Sequence, residues 1–142
     1  MNQNKEIVNK LRSSKLRPTK QRIRIADFLY NREKTFHFTI ENLNKNINKK
    51  ENSENISLAT IYNTIDAFKK AGHLKEILTN NNTSYFDTNI SSHHHFYDDQ
   101  TNELTDINFN DVEVSKVPQA PKGKKIKDVE VIISLQKAIK HS

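Results

Sequence analysis

The chain has 142 residues, 23 Lys+Arg against 17 Asp+Glu, two glycines, three prolines and no cysteine, with a formal net charge of +6. That length suits one compact domain or two small ones. The missing cysteines exclude disulfides, thiolate metal sites and thiol nucleophiles together, and the scarcity of Gly and Pro argues against a turn-rich all-β chain.

No apolar run approaches the ~20 residues needed to span a bilayer. The opening MNQNKEIVNKLRSSK lacks the apolar core of a secretory signal, so a cytoplasmic location with no membrane partner is expected. Residues 1–76 hold 16 Lys+Arg against 8 Asp+Glu, whereas residues 77–142 hold 7 against 9. One end thus suits a polyanion and the other a different task.

Leu11 and Leu16, with Lys5, Lys10, Arg12 and Lys15, predict a short first helix. Proline is well tolerated in a helix's first turn, so a second helix is expected from about Pro18, with Ile25, Phe28 and Leu29 as its apolar stripe. Thr39 suits the N-cap of a third helix that buries Ile40, Leu43 and Ile47. The segment KKENSEN reads as a turn. Ser57 then suits the cap of a fourth helix with Leu58, Ile61, Ile65 and Phe68 on one side and Gly72 as its stop.

Strands are expected over His73–Leu78 and Ser84–Asp87, with NNNT as the hairpin turn between them. Helices followed by a β-hairpin give the layout of a winged helix-turn-helix, here assigned to residues 1–88. Residues 89–142 read as a small α+β domain. Its expected elements are a strand at Glu103–Ile107, a short helix or strand at Asp111–Lys116, a loop at Pro118–Gly123 and a strand at Ile126–Leu135. It has too few apolar residues for an ample core, which predicts a homodimer formed through this half.

On a helical wheel, Ala59, Thr60 and Asn63 fall opposite the apolar stripe of the fourth helix, with Tyr62 at the border and no carboxylate before Asp66. A recognition helix has this character where its first turns enter the major groove. Asn63 suits bidentate pairing with adenine, and Ala59 or Thr60 suits a thymine methyl. Lys15, Arg17, Lys20, Arg22 and Arg24 are candidates for phosphate contacts that fix the register on double-stranded DNA.

SHHHFYDD (Ser92–Asp99) places His93 and His95 on one side of an extended segment. Two imidazoles with carboxylates suit a first-row divalent cation. The candidate carboxylates are Asp87, Asp98, Asp99, Glu103 and Asp106, and His37 is a further candidate ligand. A metalloenzyme would need a substrate pocket and an open coordination position. No second acid/base constellation or Gly-rich phosphate loop supports one, so no enzymatic activity is expected. A metal- or haem-buffering protein with an incidental basic face is the other alternative.

LRPTKQRIRIADFL, HFTIENL, ISLATIYNTIDAFKKAGHL, SYFD and SHHHF stand in the order and spacing of the ferric uptake regulator family, which the chain resembles over about residues 11–135. Within that family it looks most like the iron response regulators. HHHFYDDQTNELTDI without cysteines, Asn63 where many relatives carry arginine, and the VPQAPKG loop carry that likeness. The resemblance implies a winged helix, an α+β dimerisation domain and a homodimeric repressor on an AT-rich palindromic operator. It also implies a sensory cation, Fe2+, Mn2+ or Zn2+, at His37, Asp87, His93 and His95, joined by Asp106 in peroxide-sensing relatives.

The CxxC pairs of many relatives would fall near Asp98 and Thr101, so a structural zinc site is not expected. A second site found in some members retains at most His94 and Glu113 and is not assigned. Likeness to the iron response regulators brings haem into consideration, with His93, His94 and His95 as candidate ligands. The expected function is regulation of iron or haem-linked homeostasis; the alternative is a peroxide-, manganese- or zinc-sensing repressor of the same family.

Overall fold

The computed structural model describes residues 2–49 and 54–139. The chain divides into two compact units, one running to Leu78 and resuming over Asn82–Ile90, the other formed by Thr79–Asn81 and the chain from Ser91 on.

The first unit runs α1 (Asn2–Ser13), α2 (Lys20–Tyr30), β1 (His37–Phe38), α3 (Ile40–Ile47), α4 (Leu58–Lys70), β2 (Lys75–Leu78) and β3 (Ser84–Asp87). Its antiparallel sheet has the order β1-β3-β2. This is a winged helix with one additional N-terminal helix. Its core gathers Ile7 and Leu11 of α1, Ile25 and Leu29 of α2, Leu43 of α3, and Ile61, Ile65 and Phe68 of α4.

Hydroxyl caps set three of the helix starts. Thr19, Thr39 and Ser57 accept hydrogen bonds from the backbone N–H of Arg22, Asn42 and Thr60 at 3.2, 3.1 and 3.1 Å, satisfying donors that have no partner within the helix. Thr39 and Ser57 cap as the sequence indicates. Pro18 instead lies before the cap, because the Thr19 hydroxyl supplies the stop that a first-turn proline cannot. Leu58 is 47% exposed and Thr64 is buried in the stripe, since the wheel's apolar side is centred on Ile61, Ile65 and Phe68.

Gly72 ends α4 at φ +84°. Its N–H donates to the Lys69 carbonyl at 3.0 Å and the His73 N–H to the Phe68 carbonyl at 2.9 Å, the paired bonds of a Schellman ending. Of the KKENSEN turn, residues 50–53 lie outside the described residues. On either side of it, the Asn48 side chain donates to the Ile56 carbonyl at 2.9 Å and accepts from the Ile56 N–H at 2.8 Å. This pair of hydrogen bonds fixes the approach to α4.

The second unit carries β4 (His94–Asp98), β5 (Glu103–Ile107), a 3-10 turn at Phe109–Asp111 and β6 (Ile132–Leu135), with sheet order β5-β4-β6. β5 pairs antiparallel with β4 and β6 parallel to it. The strand over Glu103–Ile107 lies where the sequence places it. Asp111–Lys116 forms neither a helix nor a strand beyond the turn that ends at Asp111. The last strand is four residues rather than ten, because β4 offers partners only from His95 to Asp98. No helix among the described residues is long and apolar enough to cross a membrane.

Candidate metal-binding residues and nucleic-acid face

Residues for a cation occur in both units. In the first, β1 runs antiparallel to β3 with His37 paired to Asp87 and Phe38 to Phe86. This register sets His37 Nε2 3.1 Å from Asp87 Oδ2. The other carboxylate oxygen, Oδ1, accepts the Asn89 N–H at 2.8 Å, which orients the carboxylate. Asp87-Thr88-Asn89 is an Asx turn, in which the Asp87 side chain caps the backbone two residues on.

In the second unit, one ligand atom each of His93, His95 and Asp106 lie within 4.8 Å of one another. Register pairs His95 with Asp106 across β4 and β5. Asp106 Oδ1 stands 3.2 Å from both His93 Nε2 and His95 Nε2. His93 Nδ1 is 2.7 Å from the Ser91 carbonyl; a carbonyl only accepts, so Nδ1 donates there and Nε2 is the nitrogen that faces Asp106. Outer hydrogen bonds of this kind fix the tautomer of metal-binding histidines.

The donor atoms are imidazole nitrogens and carboxylate oxygens with no thiolate, a set that suits Mn2+, Fe2+ or Zn2+. The residues therefore fit the cation that the sequence implies.

The His triplet is divided between two faces. His94 stacks on Phe109 with ring centroids 5.7 Å apart, and its Nδ1 accepts the Val131 N–H at 2.9 Å. That ring packs the sheet, whereas His93 and His95 lie 4.4 Å apart, ring to ring.

Of the other carboxylates considered, Asp98 accepts from the Gln100 and Thr101 N–H groups at 2.9 and 3.3 Å, so it shapes the β4–β5 turn. Glu103 pairs with Asp98 at the end of the hairpin away from Asp106, and Asp99 is exposed in the turn.

On α4, Ala59, Tyr62 and Asn63 are exposed near the N-terminal end while Ile61 and Ile65 are buried. Thr60 is half-buried, and its hydroxyl accepts from the Ser57 hydroxyl at 2.9 Å. Asp66, the helix's first carboxylate, is paired with Lys70 at 2.9 Å. Lys15, Arg17 and Lys20 are exposed.

Arg22 donates to the Arg17 carbonyl at 3.1 Å. Arg24 differs from the expectation. Its guanidinium donates to the carbonyls of Ile47 and Glu54, so it holds the two sides of the α3–α4 connection in place of reaching for phosphate.

A winged helix followed by a small sheet unit bearing histidine and aspartate donors defines a chain built like a metal-responsive DNA-binding regulator. The chain belongs to the ferric uptake regulator family, whose match covers residues 13–134. It is 31% identical over 104 residues to the peroxide-responsive repressor PerR of Staphylococcus epidermidis, covering 73% of this chain and 67% of the relative. It is 30% identical over 105 residues to the peroxide operon regulator of Bacillus subtilis, covering 74% and 70%. Among solved structures, the ferric uptake regulator from Pseudomonas aeruginosa with manganese superposes with a TM-score of 0.68 at 22% identity, covering 96% of this chain and 98% of that one.

Proposed function

We propose that this chain is a homodimeric transcriptional repressor whose operator affinity is set by a divalent cation, with His93, His95 and Asp106 of the second unit as its donors and His37 and Asp87 of the first unit as further candidate ligands. Residues 1–88 carry the DNA contacts, through Ala59, Thr60, Tyr62 and Asn63 on base edges and Lys15, Arg17 and Lys20 on phosphates. Residues 89–142 carry the sensing donors and the dimer contact. The observation that supports this most directly is the shared carboxylate oxygen of Asp106, 3.2 Å from both His93 Nε2 and His95 Nε2.

A bound cation would neutralise the Asp106 carboxylate between the two imidazoles. It would shift DNA affinity only to the extent that it binds one arrangement more tightly than another. Exposed Phe109, Ile133 and Leu135 on the second unit support burial against a second copy.

The test is DNA binding by fluorescence anisotropy, on a duplex selected from a random pool, with added Mn2+ and then with a chelator. Affinity is expected to change at least tenfold, and the His93→Ala, His95→Ala double variant is expected to show no such change. Equal responsiveness of the two proteins would overturn the assignment.

Peroxide sensing is a second reading, favoured by Asp106 in the donor set and by the two peroxide regulators to which the chain is similar. Under it, hydrogen peroxide abolishes DNA binding of the iron-loaded protein and leaves the manganese-loaded protein unaffected. Regulation of iron homeostasis without peroxide sensing requires both loaded forms to survive.

A further inference from the structure

We propose that the lysine-rich loop over residues 116–127 of the second unit is an auxiliary DNA-backbone contact, separate from the helix-turn-helix. This rests on the DNA-binding reading given above and extends it to a surface outside the winged helix.

Charge is segregated within the irregular segment, with Glu113, Asp128 and Glu130 at its ends and the lysines between them. Five of the seven lysines from residue 91 onward fall at 116, 122, 124, 125 and 127, and all eight carboxylates of that stretch lie outside residues 114–127. A loop that serves solubility alone mixes both signs, whereas short lysine runs free of carboxylates mark polyanion contacts.

Local geometry presents these charges outward. The Lys124 N–H donates to the Pro121 carbonyl at 2.9 Å and Gly123 sits at φ +79°, closing a turn of the type that needs glycine at its third position. Lys122 is the second residue of that turn, and Lys124, Lys125 and Lys127 follow directly. All five lysines are exposed, and none of them forms an ion pair among the described residues.

No regular element runs from Val112 to Val131. Loops this long within a compact unit are uncommon and are either functional or linker-like, and the hydrogen-bonded turn at Pro121–Lys124 favours the first. Double-stranded DNA is the polyanion favoured over an acidic membrane surface, because the same chain already carries an α4 face suited to the major groove. Once that face is engaged, the loop is tethered to the same duplex, so its encounter with phosphates becomes intramolecular.

The test compares the Mn2+-loaded wild-type chain with a Lys122→Gln, Lys124→Gln, Lys125→Gln, Lys127→Gln variant. The probe is a duplex of about 40 base pairs, some four helical turns, selected by the wild type. Binding is titrated between about 50 and 200 mM NaCl, and circular dichroism melts establish that both proteins fold alike. Each phosphate that the variant no longer neutralises lowers the slope of log affinity against log salt by about 0.9. The expected result is a slope shallower by about two or more, with the preference for the selected sequence over a scrambled one unchanged.

Equal slopes with intact selective binding would overturn this inference and leave the regulator reading standing. Failure of the wild type to bind any duplex would overturn both. Lysine-dependent binding to phosphatidylserine vesicles, with no change on DNA, would assign the loop to a membrane surface instead.

Discussion

His37 and Asp87 face each other across the β1–β3 pair, with Nε2 and Oδ2 3.1 Å apart. Two features hold the ring there. Phe38, the next residue, packs between Phe36 and Phe86 at centroid distances of 5.5 and 5.7 Å. Thr39 then caps α3. The orientation of this two-residue strand is thus set from both sides, by aromatic packing and by the cap that follows it. In the second unit β4 and β5 set His95 against Asp106, and the Ser91 carbonyl holds His93, just before β4, on the same carboxylate.

Removing that carboxylate is expected to weaken cation binding. Asp106→Ala should raise the Kd for Mn2+, measured by calorimetry, by at least ~10–100-fold, as for loss of groups that orient metal-bound histidines. Asp98→Ala is the control. Its carboxylate shapes the β4–β5 turn, so Mn2+ affinity should hold. If the two variants lose affinity equally, the cation does not depend on Asp106 in particular.

The exposed face of α4 separates specificity from affinity. Asn63→Ala should relax discrimination at one base pair by ~1–3 kcal/mol. Lys20→Ala should weaken selected and scrambled duplexes alike and lower the salt slope by about one. Should Asn63→Ala weaken both duplexes equally, the reading face lies elsewhere on the helix.

Most of the helical framework is legible in the sequence because it rests on local chemistry. Thr39 and Ser57 cap, Gly72 stops, and Leu43, Ile61, Ile65 and Phe68 are buried as their spacing indicates. Tertiary pairing is not legible in the same way. β1 is too short to leave a period-two pattern, so the strand that carries His37 and its register with Asp87 emerge only from the fold, although the family resemblance already groups the two residues. Ile126–Leu135 looks like one long strand, but β4 can pair with only its last four residues. Arg24 lies in a basic run that suits phosphate, and only the fold shows its guanidinium turned onto backbone carbonyls. Alternation already sets His94 apart from His93 and His95 in the sequence, but the Phe109 ring that it packs on is visible only in the fold.

Gly72 offers a test free of steric complication. A Cβ added there meets nothing within 4 Å, so the cost of Gly72→Ala is conformational alone. At φ +84° an alanine should destabilise the protein by ~1–2 kcal/mol, measured as a shift in urea midpoint at unchanged m-value. No shift would mean that the ending of α4 relaxes without cost.

His73 ties the end of α4 to α1 and predicts a pH dependence of stability. Its Nε2 lies 2.8 Å from the Ser14 hydroxyl, and its backbone carbonyl accepts from the Tyr30 hydroxyl at 2.8 Å. Burial, and then the nearby Lys10 ammonium, hold its pKa below the ordinary 6.5. Lys10 itself lies over the Tyr30 ring, 3.6 Å from its centroid. As the pH falls, the unfolded chain takes up the His73 proton before the folded chain does. The contribution is therefore complete above about pH 6.5 and is lost progressively as pH falls through that value toward the lower folded pKa. Urea denaturation between about pH 8 and 5 should show wild-type stability declining more steeply on acidification than that of His73→Gln. Parallel profiles for the two proteins would place the acid sensitivity on other groups and leave His73 with a packing role only.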